Sequence, residues 1–139
     1  MTPAAGGGRR RRGRELALRV LFELEGSDKD AEESLTYQGI EVGATADVRA
    51  FAERLVLSCL ANRERIDAAL TAASRWSLGD VGKVERAILR LGTGELMAGD
   101  GTPVAVIVDE SLELTRAYAG DDAVQYVNGV LGQIARERV

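Results

Sequence analysis

Six arginines fall within the first 22 residues: Arg9, Arg10, Arg11, Arg12, Arg14 and Arg19, against the single acid Glu15. That stretch carries a formal charge of +5, whereas the 139-residue chain sums to −4, so residues 23–139 carry −9. A guanidinium is planar, permanently charged and forks its donors to match phosphate oxygens. A cluster of them in an otherwise acidic chain has the electrostatic footprint of a nucleic-acid binder. The competing reading is a solvated terminal charge run. Three features favour phosphate recognition. Every basic residue in the cluster is Arg, Arg14 and Arg19 continue into a helical pattern, and the rest of the chain repels polyanions.

What the chain lacks narrows the chemistry further. It has no His, the commonest general base and metal ligand. Its one cysteine, Cys59, excludes an internal disulfide and, with no His beside it, a structural zinc site. A Ser–His or Cys–His nucleophile pair cannot form within the chain, and Lys29 and Lys83 are the only lysines. The expectation is a non-enzymatic protein without cofactor or metal. No apolar run approaches the roughly 18 residues that span a bilayer. The stretch Leu16–Leu24 is broken by Arg19 and Glu23, unlike a signal peptide. The expected location is the cytoplasm.

The elements that must position the arginines read as helices. Residues 1–12 form a flexible Arg- and Gly-rich arm in this reading, and residues 13–139 a single helical domain. Ala17, Val20, Leu21 and Leu24 lie at i, i+3, i+4, i+7, predicting a helix over 13–25 with Gly26 as its stop. Arg14 and Arg19 lie off that stripe, which leaves them for solvent or a ligand. A weak second helix starts at Ser27 or Asp28, carries Ala31 and Leu35, and dissolves into residues 39–43. Thr45 caps a third, whose single wide apolar face holds Val48, Phe51, Ala52, Leu55, Val56, Cys59 and Leu60. Cys59 on that face reads as a small buried hydrophobe rather than a reactive thiol.

Asn62 ends the third helix and caps a fourth through Ile66, Ala69, Leu70 and Ala73. In the connector that follows, residues 74–82, Trp76 is expected to anchor into the core rather than stack on a base. The fifth helix carries Val84, Ala87, Ile88, Leu91 and Leu96. It also contains Gly92 and Gly94, each costing about 1 kcal/mol relative to Ala, so either a neighbouring backbone packs close there or the helix kinks. Thr102 caps and Pro103 opens a sixth helix running to Tyr118. Its Val104–Val108 stretch has strand propensity but no second strand pattern to pair with. Gly120-Asp121-Asp122 places acids at the positive start of a seventh helix, with Val127, Val130, Leu131, Ile134 and Ala135 facing inward. Seven helices with short connections make an all-α bundle.

The pieces in order resemble one family. An Arg-rich start runs into Arg14-Glu15-Leu16-Ala17-Leu18-Arg19-Val20-Leu21-Phe22. After the Trp connector come Val84-Glu85-Arg86-Ala87-Ile88-Leu89-Arg90-Leu91 and Glu95-Leu96. Pro103-Val104, Asp109-Glu110, Glu113-Leu114 and a terminal Tyr126-Val127-Asn128-Gly129-Val130-Leu131 complete the pattern. Over about residues 9–136 this resembles the NusB family of bacterial transcription antitermination factors. The resemblance implies two packed three-helix bundles with an extra helix, and non-enzymatic RNA binding. It implies a boxA-type RNA leader element as ligand, the ribosomal small-subunit protein NusE as partner, and an antitermination complex on RNA polymerase. Carried over residue by residue, RNA contacts fall on Arg10, Arg11, Arg14, Asp122 and Tyr126, and partner contacts on Phe22 and Glu85.

Read on their own, these residues leave alternatives open. Tyr126 is a stacking platform for an unpaired base or a packing residue, Glu85 can be a solvated carboxylate at a positive helix start, and Asn128 is expected to hydrogen-bond across the bundle. The chain also departs from the family pattern. Asp109 stands where Asn is usual, Gln125 where a basic residue is common, and Gly92 and Gly94 where larger residues are usual. These departures shift the RNA attraction towards the N-terminal arginines. Two other functions compete. One is the RNA-recruiting domain of an rRNA cytosine methyltransferase, which needs a βαβ domain with a cofactor loop beyond these residues. The other is a self-associating helical protein, since some relatives form homodimers.

Overall fold

The computed structural model describes residues 8–137. Seven α-helices follow one another: α1 (Arg9–Leu24), α2 (Ala31–Val42), α3 (Ala46–Ala61), α4 (Arg63–Ala73), α5 (Lys83–Ala98), α6 (Val104–Tyr118) and α7 (Val124–Glu137). Short 3-10 turns at Leu78–Asp80 and Asp121–Ala123 lead into α5 and α7. Among the described residues there is no strand, so the β-branched run Val104–Val108 is helical, as the missing pairing partner required.

The helices group into two three-helix bundles. In one, α1 packs on α2 and α3; in the other, α5, α6 and α7 pack on one another. The bundles meet where α5 crosses α1 and α3, and α4 is the extra helix, laid against α5 and α7. α5 is therefore surrounded, and it is buried almost all round from Ala87 to Glu95, the pattern of a central helix. Its two glycines make this possible. A Cβ at Gly92 would lie 2.8 Å from Ser111 Oγ on α6, and one at Gly94 would lie 2.5 Å from Cys59 Sγ on α3. The helix runs straight through both positions. The neighbours that press in are side chains rather than backbones.

Several expectations change. α1 begins at Arg9, not near residue 13, and Arg12 N–H closes the first turn onto Gly8 O at 2.9 Å. Arginine is a good helix former, so the run 9–12 belongs to the helix; the remainder of the expected arm, residues 1–7, lies outside the described residues. α2 is a full helix. Asp30 caps it, accepting from Glu33 N–H at 2.8 Å, and it closes on a left-handed Gly43. Thr102 does not cap α6, and Pro103 sits at the cap rather than inside the first turn. Asn128 is exposed instead of bonded across the bundle. Leu60 is 38 % exposed, because α4 turns away from that end of the α3 face. Cys59 is buried as expected, and burial pushes its thiol up to about 12.

Candidate nucleic-acid interface

α1 runs antiparallel to α5. Arg14, near the start of α1, pairs with Glu95 near the end of α5. Glu25, just past the end of α1, pairs with Arg86 near the start of α5. This fixes the site: the arginine cluster gathers at the carboxyl end of α5, beside the α5–α6 connection and α6.

Arg9, Arg10, Arg11 and Arg12 occupy the first turn of α1, and all are exposed. The first three each meet a carboxylate. Arg9 bonds Asp47 at the start of α3 at 2.7 Å. Arg11 makes a two-pronged pair with Glu110 on α6, both contacts at 3.0 Å. Arg10 donates to the Thr102 hydroxyl at 3.3 Å and lies 3.8 Å from Asp100. Its guanidinium stands over the Phe51 ring, 5.0 Å from the centroid, and Arg54 approaches the same ring at 5.7 Å. Gly13 admits that ring, since a Cβ there would collide with Phe51 Cδ2. The Thr45 hydroxyl, and then Arg9, hold the Asp47 carboxyl down at about 2. The Thr102 backbone N–H, helped by Arg10, lowers that of Asp100. The Glu110 hydrogen bonds raise the Arg11 guanidinium. Among the described residues Arg12 has no ion-pair partner.

Arg14 is not available to RNA. It is 4 % exposed and forks onto Glu95 at 2.8 and 2.6 Å. Burial alone would discharge it, but the Glu95 contacts outweigh burial and keep the guanidinium charged. Arg19 is likewise buried, with its Nε donating to Gln38 at 3.0 Å. Both lie off the apolar stripe, as expected, yet α1 is enclosed on three sides by α2, α3 and α5. Their positions off the stripe face neighbouring helices rather than solvent.

The other expected RNA residues sit at the far end of α5, which at 16 residues is about 24 Å long. There Trp76, 49 % exposed, tilts against Tyr126 with ring centroids 4.9 Å apart. The expectation that Trp76 anchors in the core is corrected: it stands at the surface. The Arg75 guanidinium lies 4.8 Å from the Trp76 ring centroid, and Ser74 shares a 2.7 Å hydrogen bond with the Tyr126 hydroxyl. A groove opens on each side of this pair, each of about 600 Å³. One is lined by Asp80, Glu85 and Asp122, the other by Arg75, Gln125 and Gln133, with Trp76, Tyr126 and Asp122 bordering both. Asp122 and Tyr126 are thus brought together as expected. Glu85, expected at the partner surface, shares their groove, and its carboxylate folds back over Gly82.

Phe22 is half-buried at this same end, with Lys83 Nζ 4.4 Å above its ring. Between Phe22 and the grooves an ion-pair network ties the chain down. Arg86 reaches Glu25 and the carbonyls of Leu78 and Val81 at 2.9 and 2.7 Å. Arg90 forks onto Asp67 on α4 at 2.9 and 3.1 Å. The two arginines of the Glu85–Leu91 block therefore brace the connector that presents Trp76. Sequence reasoning passed over Arg12, Phe51, Arg54, Trp76 and Arg75 as parts of the surface. Only the placement of Arg75 next to Trp76, and of both before the Val84 block, was a usable signal.

Comparison with known proteins agrees with this architecture. The sequence model of the NusB family matches residues 11–136. A transcription antitermination protein NusB from Geobacter sulfurreducens is 37 % identical over 131 residues, covering 92 % of this chain and 94 % of that protein. The one from Saccharopolyspora erythraea is 40 % identical over 132 residues, covering 92 % and 87 %. That of Heliobacterium modesticaldum is 36 % identical over 129 residues; the match takes 92 % of this chain but only 63 % of that longer protein. Among solved structures, that of antitermination factors NusB and NusE in complex with dsRNA superposes with a TM-score of 0.85 at 27 % identity, over 93 % of this chain and 97 % of that one. NusB of T. maritima gives 0.83 at 31 %, over 98 % and 92 %.

Proposed function

The chain belongs to the NusB family, and from that premise we propose that it is a non-catalytic, RNA-binding transcription antitermination factor that works with NusE on a boxA-type leader RNA. The observation that carries the reading is the likeness, over nearly the whole of both chains, to a NusB solved with NusE and double-stranded RNA. The surface of this chain fits such a ligand. Arg10, Arg11 and Arg12 stand exposed at the start of α1 and supply phosphate contacts, which position RNA without reading its sequence. Tyr126 and Trp76 offer the faces on which an unpaired base stacks. Asp122 lies between the two grooves and can accept from a base N–H. An RNA touching both groups has to run along the length of α5. Phe22 with Lys83 over its ring, and Glu85 in its groove, are the places for the protein partner, whose arrival completes assembly on RNA polymerase.

The test is fluorescence anisotropy of a labelled boxA-type RNA against a scrambled one, titrated with this chain alone and again with NusE. Selective binding that tightens with NusE is the expected result. Equal binding to both RNAs, unmoved by NusE, ends the proposal. Replacing Arg10, Arg11 and Arg12 by Ala should lower the slope of log affinity against log salt by about 2 units, at about 0.7 per single-strand phosphate contact.

A further inference from the structure

The first turn of α1 is electrostatically improbable by itself. Four consecutive arginines sit at the positive end of a helix dipole, with no acid in that turn to offset it. Three other elements supply the missing charge, one carboxylate per arginine: Asp47 from α3 to Arg9, Asp100 from the α5–α6 connection to Arg10, and Glu110 from α6 to Arg11. The partners lie 38 to 99 residues away in sequence, so only the fold brings them together. The arginine side chains in these pairs remain 81, 60 and 45 % exposed. Exposed pairs of this kind are weak and exchangeable.

We propose that Asp47, Asp100 and Glu110 are specificity-determining residues: built-in counter-ions that occupy Arg9, Arg10 and Arg11 until an RNA with further contacts displaces them. This rests on the reading of that surface as the RNA contact. The physical reason is competition. A phosphate reaching Arg11 must give up the Glu110 pair and then lie beside the freed carboxylate. A polyanion held by charge alone gains little from that exchange. An RNA that also engages the Tyr126–Trp76 end has contacts independent of it. Salt-driven binding is likewise muted, because a guanidinium neutralised by protein contributes less to counter-ion release at the RNA. Asp47 stays ionised well below neutrality, so its restraint operates across the physiological pH range. Arg12, without such a partner, makes the first encounter.

The experiment compares the wild-type chain with D47N/D100N/E110Q and with a charge-matched control, E33Q/E41Q/E64Q, whose carboxylates are exposed and make no ion pair among the described residues. Affinity and salt slope are measured for a boxA-type RNA and for poly(U), with circular dichroism melts as the check on folding. The first variant should bind poly(U) at least tenfold more tightly than the control does. Its salt slope should steepen by about 2 units, for three released arginines at about 0.7 each, and its preference for the boxA-type RNA should shrink. Should the triple variant unfold, E110Q and D47N alone carry the test, each with about a third of the slope change. Equal behaviour of variant and control overturns the proposal, since net charge then explains everything. A fourth chain, R9A/R10A/R11A/R12A, separates the two levels. If it binds the boxA-type RNA as the wild type does, the arginine surface itself is misread and both fall; if it binds more weakly while variant and control agree, only the counter-ion role is lost.

Discussion

The two ends of α5 present opposite kinds of surface. At the carboxyl end, beside the start of α1, cations are crowded and nearly all matched: Arg9, Arg10, Arg11 and buried Arg14 each have a carboxylate. At the amino end, beside the start of α7, the aromatic pair Trp76–Tyr126 stands among Asp80, Glu85 and Asp122. None of those three acids has an ion-pair partner among the described residues. The first surface answers charge and the second answers shape, so a ligand satisfied by one alone is bound incompletely. Two surfaces far weaker apart than together are a route to discrimination that needs no deep pocket.

That contrast can be broken first at its most buried point. Replacing Glu95 with Gln strands the Arg14 guanidinium in a nearly sealed site, and removing one partner of such a pair costs about 3–5 kcal/mol. Urea unfolding should show the midpoint fall with the slope unchanged. A stability equal to wild type would mean that water reaches Arg14. Next in size is the aromatic end. Tyr126→Ala should weaken boxA-type RNA binding by about 1–3 kcal/mol through lost stacking, while the salt slope stays at its wild-type value. The Arg10, Arg11, Arg12 triple variant should do the reverse and flatten the slope. If both variants change the slope alike, the two surfaces are not chemically distinct.

A smaller effect is expected between the ends. Gly94→Ala drives a methyl into Cys59 Sγ; the overpacking of about 1–3 kcal/mol exceeds the roughly 1 kcal/mol gained in helix propensity. A melting temperature above wild type would contradict this. The smallest effects are titrations. The folded Asp47 value of about 2 lies below its ordinary 3.8, so its stabilisation is complete above 3.8 and is lost as pH falls through 2. D47N should therefore flatten the acid limb of the stability curve. Cys59 shifts the other way, from 9.0 up to about 12, chiefly through burial. The stabilisation of its neutral form is complete below pH 9 and is lost as pH rises towards 12. Iodoacetamide at about pH 8 should leave it unlabelled in the folded chain and label it once urea is added.

The helical periods were legible because burial on one face repeats in sequence. The α3 stripe, the buried Cys59 and the helical α6 all followed from spacing alone. The enclosure of α1 was not. A period identifies which face is apolar but not how many neighbours surround the helix, so Arg14 and Arg19 read as free although both are buried. Their answering groups, Glu95 and Gln38, lie 81 and 19 residues away. Glu95 did carry a trace of this, as a lone carboxylate in a stretch of apolar and small residues. Trp76 misled for the opposite reason: a single large aromatic in a connector is ordinarily core, and only the bracing by Arg86 and Arg90 shows why this one is held outward. The resemblance placed Asp122 and Tyr126 correctly beside one another, but the groove they share with Glu85 depends on how α5 and α7 converge.

α5 also acts as a gauge. Because it is straight, buried and tied at both ends by ion pairs, it sets a fixed separation of about 24 Å between charge and stacking. A ligand carrying the right groups at the wrong interval can satisfy one end only. Selection by spacer length therefore needs no residue to recognise the spacer itself.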